Sequence, residues 1–239
     1  MNIYEEFQVH DTLNPKLWEG DTLKPQVRQK TVEIVAAFED YIDIPIRIAD
    51  VQLCGSNASF NYTEESDLDV HIIANFEAIP APTELLHAAY NSAKASFNDN
   101  YNIKIYGIDV ELYVQNILSN VVSNGIYSIC SSEWIKEPKP LSAATKHNID
   151  KEVAEWRRKA QLALASKDAD EVLSAIDLIY LLRKNSLAVE GEYGKGNEIF
   201  KELRRSGVIE QLKKAARAAE SKQLSLESYR GSFISRYDI

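Results

Sequence analysis

Asp67 and Asp69 stand two residues apart in the run Ser66-Asp67-Leu68-Asp69-Val70-His71. Residues two apart on a strand project from the same face, so the two carboxylates lie side by side while Leu68 and Val70 turn toward the core. Like charges held on one rigid strand repel, which makes the pair a poor structural device and a good holder of a divalent cation. The run continues as His71-Ile72-Ile73-Ala74, the pattern of a strand entering a core and not of a polar edge. Separated from Asp67 by ten intervening residues, Gly55-Ser56 ends an apolar stretch. A residue without Cβ lets backbone N–H groups approach a phosphate, and the serine hydroxyl adds a further bond. Downstream, Ile108-Asp109-Val110-Glu111-Leu112 offers a second alternating acidic pair. A third carboxylate from a neighbouring strand would complete a site in which two ions, roughly 3.5–4 Å apart, bridge nucleophile, phosphate and leaving group.

The surrounding elements have to position these groups. Residues through Pro25 are polar and broken by Pro15, Gly20 and Pro25, and read as an irregular lead-in. Val27, Ile34, Val35, Phe38 and Ile42 recur at helical spacing, and Pro45 closes that helix. An extended segment then reaches Gly55, and a polar loop leads into the Asp67 strand. A second helix is expected from Pro82 and Thr83 to Phe97, burying Leu86, Ala89, Tyr90, Ala93 and Phe97. Two extended stretches follow, joined by a turn at Tyr106–Gly107, and the run Gly125–Cys130 adds a further strand. After Lys136 a proline-bearing linker gives way to helical sequence. Helices are expected over 147–166 and 169–190, the second apolar over a wide arc (Val172, Leu173, Ile176, Leu178, Ile179, Leu181, Leu182) and therefore central. Two shorter amphipathic helices run from about Asn197 to Ser221. The fold class is thus α/β, a mixed-sheet domain over 1–138 followed by a C-terminal helical bundle over 139–239.

The stretch Leu53-Cys54-Gly55-Ser56 through Asp67-Leu68-Asp69-Val70-His71-Ile72 resembles the signature of the DNA polymerase beta superfamily of nucleotidyltransferases, of bacterial or phage type: an apolar residue, Gly-Ser, about ten residues, then Asp-apolar-Asp-apolar. The resemblance covers about residues 25–135. It implies magnesium or manganese held by Asp67, Asp69 and a third acid, and nucleotide phosphates held by Gly55 and Ser56, with Asn57 directly after. It implies transfer of a nucleoside monophosphate from an NTP such as ATP to an acceptor hydroxyl, one ion activating the hydroxyl and the other stabilising the departing pyrophosphate. The third acid in that superfamily is usually aspartate. Here Glu111 is preferred, because it lies mid-strand between Val110 and Leu112, and Asp109 at the strand's mouth is the alternative. The acceptor is left open among small molecule, protein side chain, RNA end and second nucleotide. A different reading keeps the fold without catalysis, as a nucleotide-binding or protein-interaction module.

Other signals carry less. His71 shares the parity of Asp69, but magnesium prefers oxygen, so a supporting hydrogen bond is expected of it. The segment Gly191-Glu192-Tyr193-Gly194-Lys195-Gly196 lacks the Gly-Lys-Ser/Thr ending of a phosphate loop and reads as a flexible connection. Lys195, Lys201, Arg204 and Arg205 crowd the following helix; Lys195 and Lys201 are the candidate cations for the triphosphate in a cleft between the two parts, against the plainer reading of a solvated surface. Arg157 and Arg158 are candidates for pairing with the acidic part. The net charge of −9 divides unevenly: residues 1–150 hold 10 basic against 22 acidic side chains, and residues 151–239 hold 17 against 14. So slight a basic excess is no footprint of long nucleic acid. No apolar run is long enough for a bilayer and the N-terminus has no signal-peptide character, so a cytoplasmic protein is expected, with Cys54 and Cys130 as buried free thiols.

Overall fold

The computed structural model describes residues 10–119, 121–140 and 147–225. The chain divides into two compact units, Met1–Ala143 and Ala144–Ile239. The first is mixed α/β; the described part of the second is helical.

The first unit opens with a small hairpin, β1 (Trp18–Glu19) and β2 (Thr22–Leu23), and then α1 (Pro25–Tyr41), β3 (Ile48–Cys54), β4 (Leu68–Ala74), α2 (Thr83–Asn100), β5 (Lys104–Ile105), β6 (Ile108–Asn116), β7 (Ile126–Ser128) and β8 (Glu133–Lys136). Six strands form one sheet in the order β5-β6-β4-β3-β7-β8. Among the described residues, only β4 and β6 pair in parallel; the remaining pairs of this sheet are antiparallel. A parallel pair needs a crossover, and α2 supplies it. Asn98 of α2 also closes the outer edge of β6: its Nδ2 donates to the Leu112 carbonyl and its Oδ1 accepts the Leu112 N–H, each at 3.2 Å. The β5–β6 turn places Tyr106 and Gly107 at φ 51° and 81°. Two positive φ values are what a tight two-residue hairpin demands, and the glycine takes the second without strain.

Pro25 starts α1 at the first helical position, where its missing N–H costs nothing. The helix buries Val27, Thr31, Ile34, Val35 and Phe38, and Thr31 is tolerated inside because its hydroxyl donates to the Val27 carbonyl at 2.9 Å. The strands divide by parity. Val51, Leu53, Leu68, Val70, Ile72 and Leu112 enter the core, whereas Gln52, Asp69, His71, Glu111 and Tyr113 lie half-buried on the opposite face.

The lead-in is more ordered than its composition suggests. Leu13, Leu17, Trp18 and Leu23 belong to the core. Trp18 stacks on Trp134 of β8 with ring centres 4.8 Å apart, meets Tyr127 edge-on at 5.1 Å, and donates its indole N–H to the Asn57 carbonyl at 2.8 Å. Prolines and a glycine spaced among few apolar residues hid an element whose partner lies more than a hundred residues away. β8 was hidden likewise, in four residues beside a proline-bearing stretch. Cys54 is buried, but Cys130 is exposed: Ile129 turns into the core and the next residue turns out.

In the second unit, α3 (Asp150–Ser166), α4 (Ala169–Val189), α5 (Lys195–Arg205) and α6 (Val208–Leu224) share an apolar cluster that includes Val153, Ile179, Phe200, Leu203 and Leu212. Lys167 leaves α3 in the left-handed region, and Asp168 caps α4 by accepting the N–H groups of Asp170 and Glu171. α4 touches the other three helices. Its buried stripe is narrower than the apolar arc predicts: Val172 and Ile179 are buried, while Leu173, Leu178 and Leu181 are exposed. No helix among the described residues is long and apolar enough to cross a membrane. The final residues, from 226 on, lie outside the described residues.

Trp18→Ala should lower the stability of the first unit by about 3–5 kcal/mol, the usual cost of truncating a buried aromatic. Urea unfolding followed by fluorescence measures it, and a loss below about 1 kcal/mol would mean that the lead-in does not belong to the core.

Candidate functional site

β3 ends at Cys54 and the chain turns at Gly55, whose φ of 73° and ψ of −161° lie outside the range of ordinary side chains. A short helical turn, Ser56–Ala58, follows. The Gly55 N–H donates to Ser123 Oγ at 3.1 Å, and Ser56 Oγ bonds to Ser66 Oγ at 2.9 Å across the loop. Asn57 holds this loop shut. Its Nδ2 donates to the carbonyls of Ser66 (3.1 Å) and Asp67 (2.9 Å), and its Oδ1 accepts from Asn14 Nδ2 at 2.7 Å. The residue is fully buried, so its side chain is not open to a ligand as the phosphate contact required. It fixes where Asp67 emerges.

Register brings the acids together. Asp69 of β4 pairs with Cys54 of β3 on one side and with Glu111 of β6 on the other. Paired residues on adjacent strands share a face, so Asp69 and Glu111 stand next to each other, with Asp67 just before β4 on the same parity. Gly55 is pressed against this group: a Cβ placed on it would lie 1.9 Å from Asp69 Oδ2. Glycine is therefore demanded twice, by backbone conformation and by the carboxylate beside it. Asp109 goes elsewhere, pairing with Lys104 across the β5–β6 hairpin at 2.5 Å, with both side chains about half exposed.

One step further along the strands, His71 pairs in register with Gln52 and Tyr113. Its Nδ1 shares a hydrogen bond with Gln115 Oε1 at 3.0 Å, and its ring lies 5.0 Å from that of Tyr113. Burial, partly offset by the Gln115 bond, pulls the imidazole pKa below its ordinary value, with nearby Lys94 adding to the effect. His71 is thus a neutral hydrogen-bonding residue beneath the acids at neutral pH. Lys94 of α2 places its ammonium 4.1 Å above the Tyr113 ring. Sequence reasoning missed Lys94 and Ser123, for the same reason. Both reach the site by tertiary contact, and neither stands in a motif.

Lys195 and Lys201 belong to the helical unit. Lys195 opens α5 and pairs with Glu152 of α3; Lys201 sits on the same helix, where its charge reaches Glu198. Arg157 pairs with Glu202 at 2.7 Å and is engaged inside its own unit. Around Lys195 the glycines serve packing. A Cβ on Gly194 would lie 2.3 Å from Ser186 Oγ, and one on Gly196 would lie 2.8 Å from Ser186 Cβ and 3.0 Å from the Leu182 carbonyl. The segment expected to be a flexible connection is a close crossing of α4 and α5.

Among the described residues, no three His, Cys, Asp or Glu side chains are gathered tightly enough to form a ready metal cage. What the strands provide is a set of carboxylate oxygens at adjoining register positions. Their hard, all-oxygen character suits magnesium or manganese and not zinc. No family model, curated protein or solved structure matches the chain.

Gly55→Ala and Gly107→Ala separate the two demands on Gly55. Both glycines have positive φ, but a Cβ on Gly107 meets nothing within 4 Å. Gly107→Ala should cost about 1–2 kcal/mol from backbone strain alone, and Gly55→Ala clearly more, because Asp69 must also move. Equal midpoints in urea would show that Gly55 does not press on Asp69.

Proposed function

We propose that the chain is a metal-dependent nucleotidyltransferase that moves a nucleoside monophosphate from an NTP to an acceptor hydroxyl and releases pyrophosphate. The observation that carries this reading is the register of Asp69 with Glu111 on parallel strands, with the Gly55-Ser56 turn set against the Asp69 carboxylate. The motif resemblance found in the sequence points to the same chemistry, with the first unit as catalytic domain.

Asp67, Asp69 and Glu111 would hold magnesium or manganese, which supplies charge neutralisation on the phosphates and a more acidic acceptor hydroxyl when bound. Gly55 and Ser56 would orient the triphosphate at the end of β3, the Gly55 N–H and the Ser56 hydroxyl exchanging their bonds to Ser123 and Ser66 for phosphate oxygens. Asn57 and Ser66 keep that turn closed over the start of β4. His71, bonded to Gln115, supports the face from beneath. In the reaction the acceptor oxygen forms a bond to the α-phosphorus while the bond to the bridging oxygen of the β-phosphate breaks. That oxygen's electron pair leaves with pyrophosphate, and the hydroxyl proton passes to solvent.

Asp69→Asn should lower pyrophosphate release from NTP by at least about a thousandfold, as expected when a carboxylate central to electrostatic stabilisation is neutralised, while the circular dichroism spectrum stays unchanged. Each NTP is tested with magnesium and with manganese, and the destination of an α-phosphate label identifies the acceptor. Turnover retained in the variant would exclude the assignment; nucleotide binding that ignores both metal and Asp69 would favour a non-catalytic binding module.

A further inference from the structure

Across the sheet, the Gly55-Ser56 turn and helix α2 lie on opposite sides of the acid pair. The Gly55-Ser56 turn proposed to hold the triphosphate sits at the end of β3; Asp69 is on β4 and Glu111 on β6, in the spatial order β3-β4-β6. Displacement at phosphorus runs in line, with nucleophile and leaving group on opposite sides of the transferred group. If the pyrophosphate lies at the β3 turn, the acceptor comes in over β6. That side carries a cation: α2 runs along the outer edge of β6, anchored by Asn98 at Leu112, and Lys94 holds its ammonium above Tyr113, two residues beyond Glu111 on the same face.

We infer that the acceptor is a small molecule bearing a phosphate group near its reacting hydroxyl, and that Lys94 binds that phosphate. The inference rests on the nucleotidyltransferase reading and names its missing substrate class. A partly buried ammonium resting on an aromatic ring is held in position, so little side-chain freedom is lost when an anion arrives. Aliphatic and neutral acceptors give such a cation nothing to bind. A long polyanion fits poorly with a segment, residues 1–150, that holds 22 acidic against 10 basic side chains. The Lys94 charge also offsets part of the repulsion that Asp69 and Glu111 would exert on an incoming anion.

The test uses the full chain with saturating magnesium and a non-hydrolysable ATP analogue, and inorganic phosphate as the probe, by calorimetry. Wild-type protein should bind phosphate; Lys94→Gln should weaken that binding at least tenfold and Lys94→Arg should restore it, with the affinity for the analogue the same in all three. In turnover, ribose 5-phosphate should be used at least tenfold better than ribose, and the advantage should vanish in Lys94→Gln. Equal phosphate binding in Lys94→Gln, or none in wild type, overturns the inference. So does a loss of analogue affinity in Lys94→Gln, which would put the lysine at the nucleotide, and so does a preference for an oligoribonucleotide end. Asp69→Asn marks the difference from the underlying reading: if the analogue binds the wild type and that variant equally with and without magnesium, the nucleotidyltransferase assignment itself falls.

Discussion

Everything at the site depends on one pairing, the parallel register of β4 with β6. It sets two carboxylates on neighbouring strands at the same height and on the same face. Unit charges roughly 5–8 Å apart at an effective dielectric of 20 repel by about 2–3 kcal/mol, and half-exposed groups such as these feel less. A divalent cation bound between them, as proposed, would relieve that repulsion. The cost is borne by the opposite face of the same strands, where Leu68, Val70, Ile72, Leu53 and Leu112 are packed against α1 and α2. The apolar parity holds the strands in place, and the polar parity is thereby free to present chemistry.

Around that register the remaining pieces have specific tasks. α2 makes the parallel pairing possible as a crossover, and its Asn98 replaces the missing neighbour strand at Leu112. The buried Asn57 ties the Gly-Ser turn to the emergence of Asp67 and to Trp18, so the hairpin at residues 18–23 reaches the site through a single side chain and its carbonyl. Local misplacement at Trp18 is therefore expected to be felt at the loop that carries the acids.

Much of this was legible in the sequence. Parity alone placed Asp67 and Asp69 on one face, the apolar tail of the same run marked a core strand, and Tyr106-Gly107 was readable as a turn. The structure then gave Glu111 the position beside Asp69 and sent Asp109 to Lys104, a distinction that rests on pairing register and that no single segment contains. The same limit hid β8, Lys94 and Ser123. Lys94 meets Tyr113 and Ser123 meets Gly55 well beyond the span of any local pattern, and β8 is fixed by Trp18, more than a hundred residues away, as well as by β7. Asn57 shows the opposite error. Its position next to Ser56 suggested a ligand contact, whereas the spatial density of carbonyls around it makes it a bracing residue. On α4 the leucines outnumber the surface that four helices can cover, so an apolar arc overstated burial. Gly194 and Gly196 looked like freedom of the backbone and turned out to be closeness of two helices.

The most direct test of the account is manganese binding by electron paramagnetic resonance, in the presence of the non-hydrolysable ATP analogue, compared among wild type, Glu111→Gln and Asp109→Asn. The register predicts that Glu111→Gln weakens the ion's affinity at least tenfold and that Asp109→Asn, which only frees Lys104, leaves it within about twofold, a difference of at least about 1 kcal/mol. Equal affinity in wild type and Glu111→Gln would contradict the account, because the acids that the sheet brings side by side would then not be holding the metal.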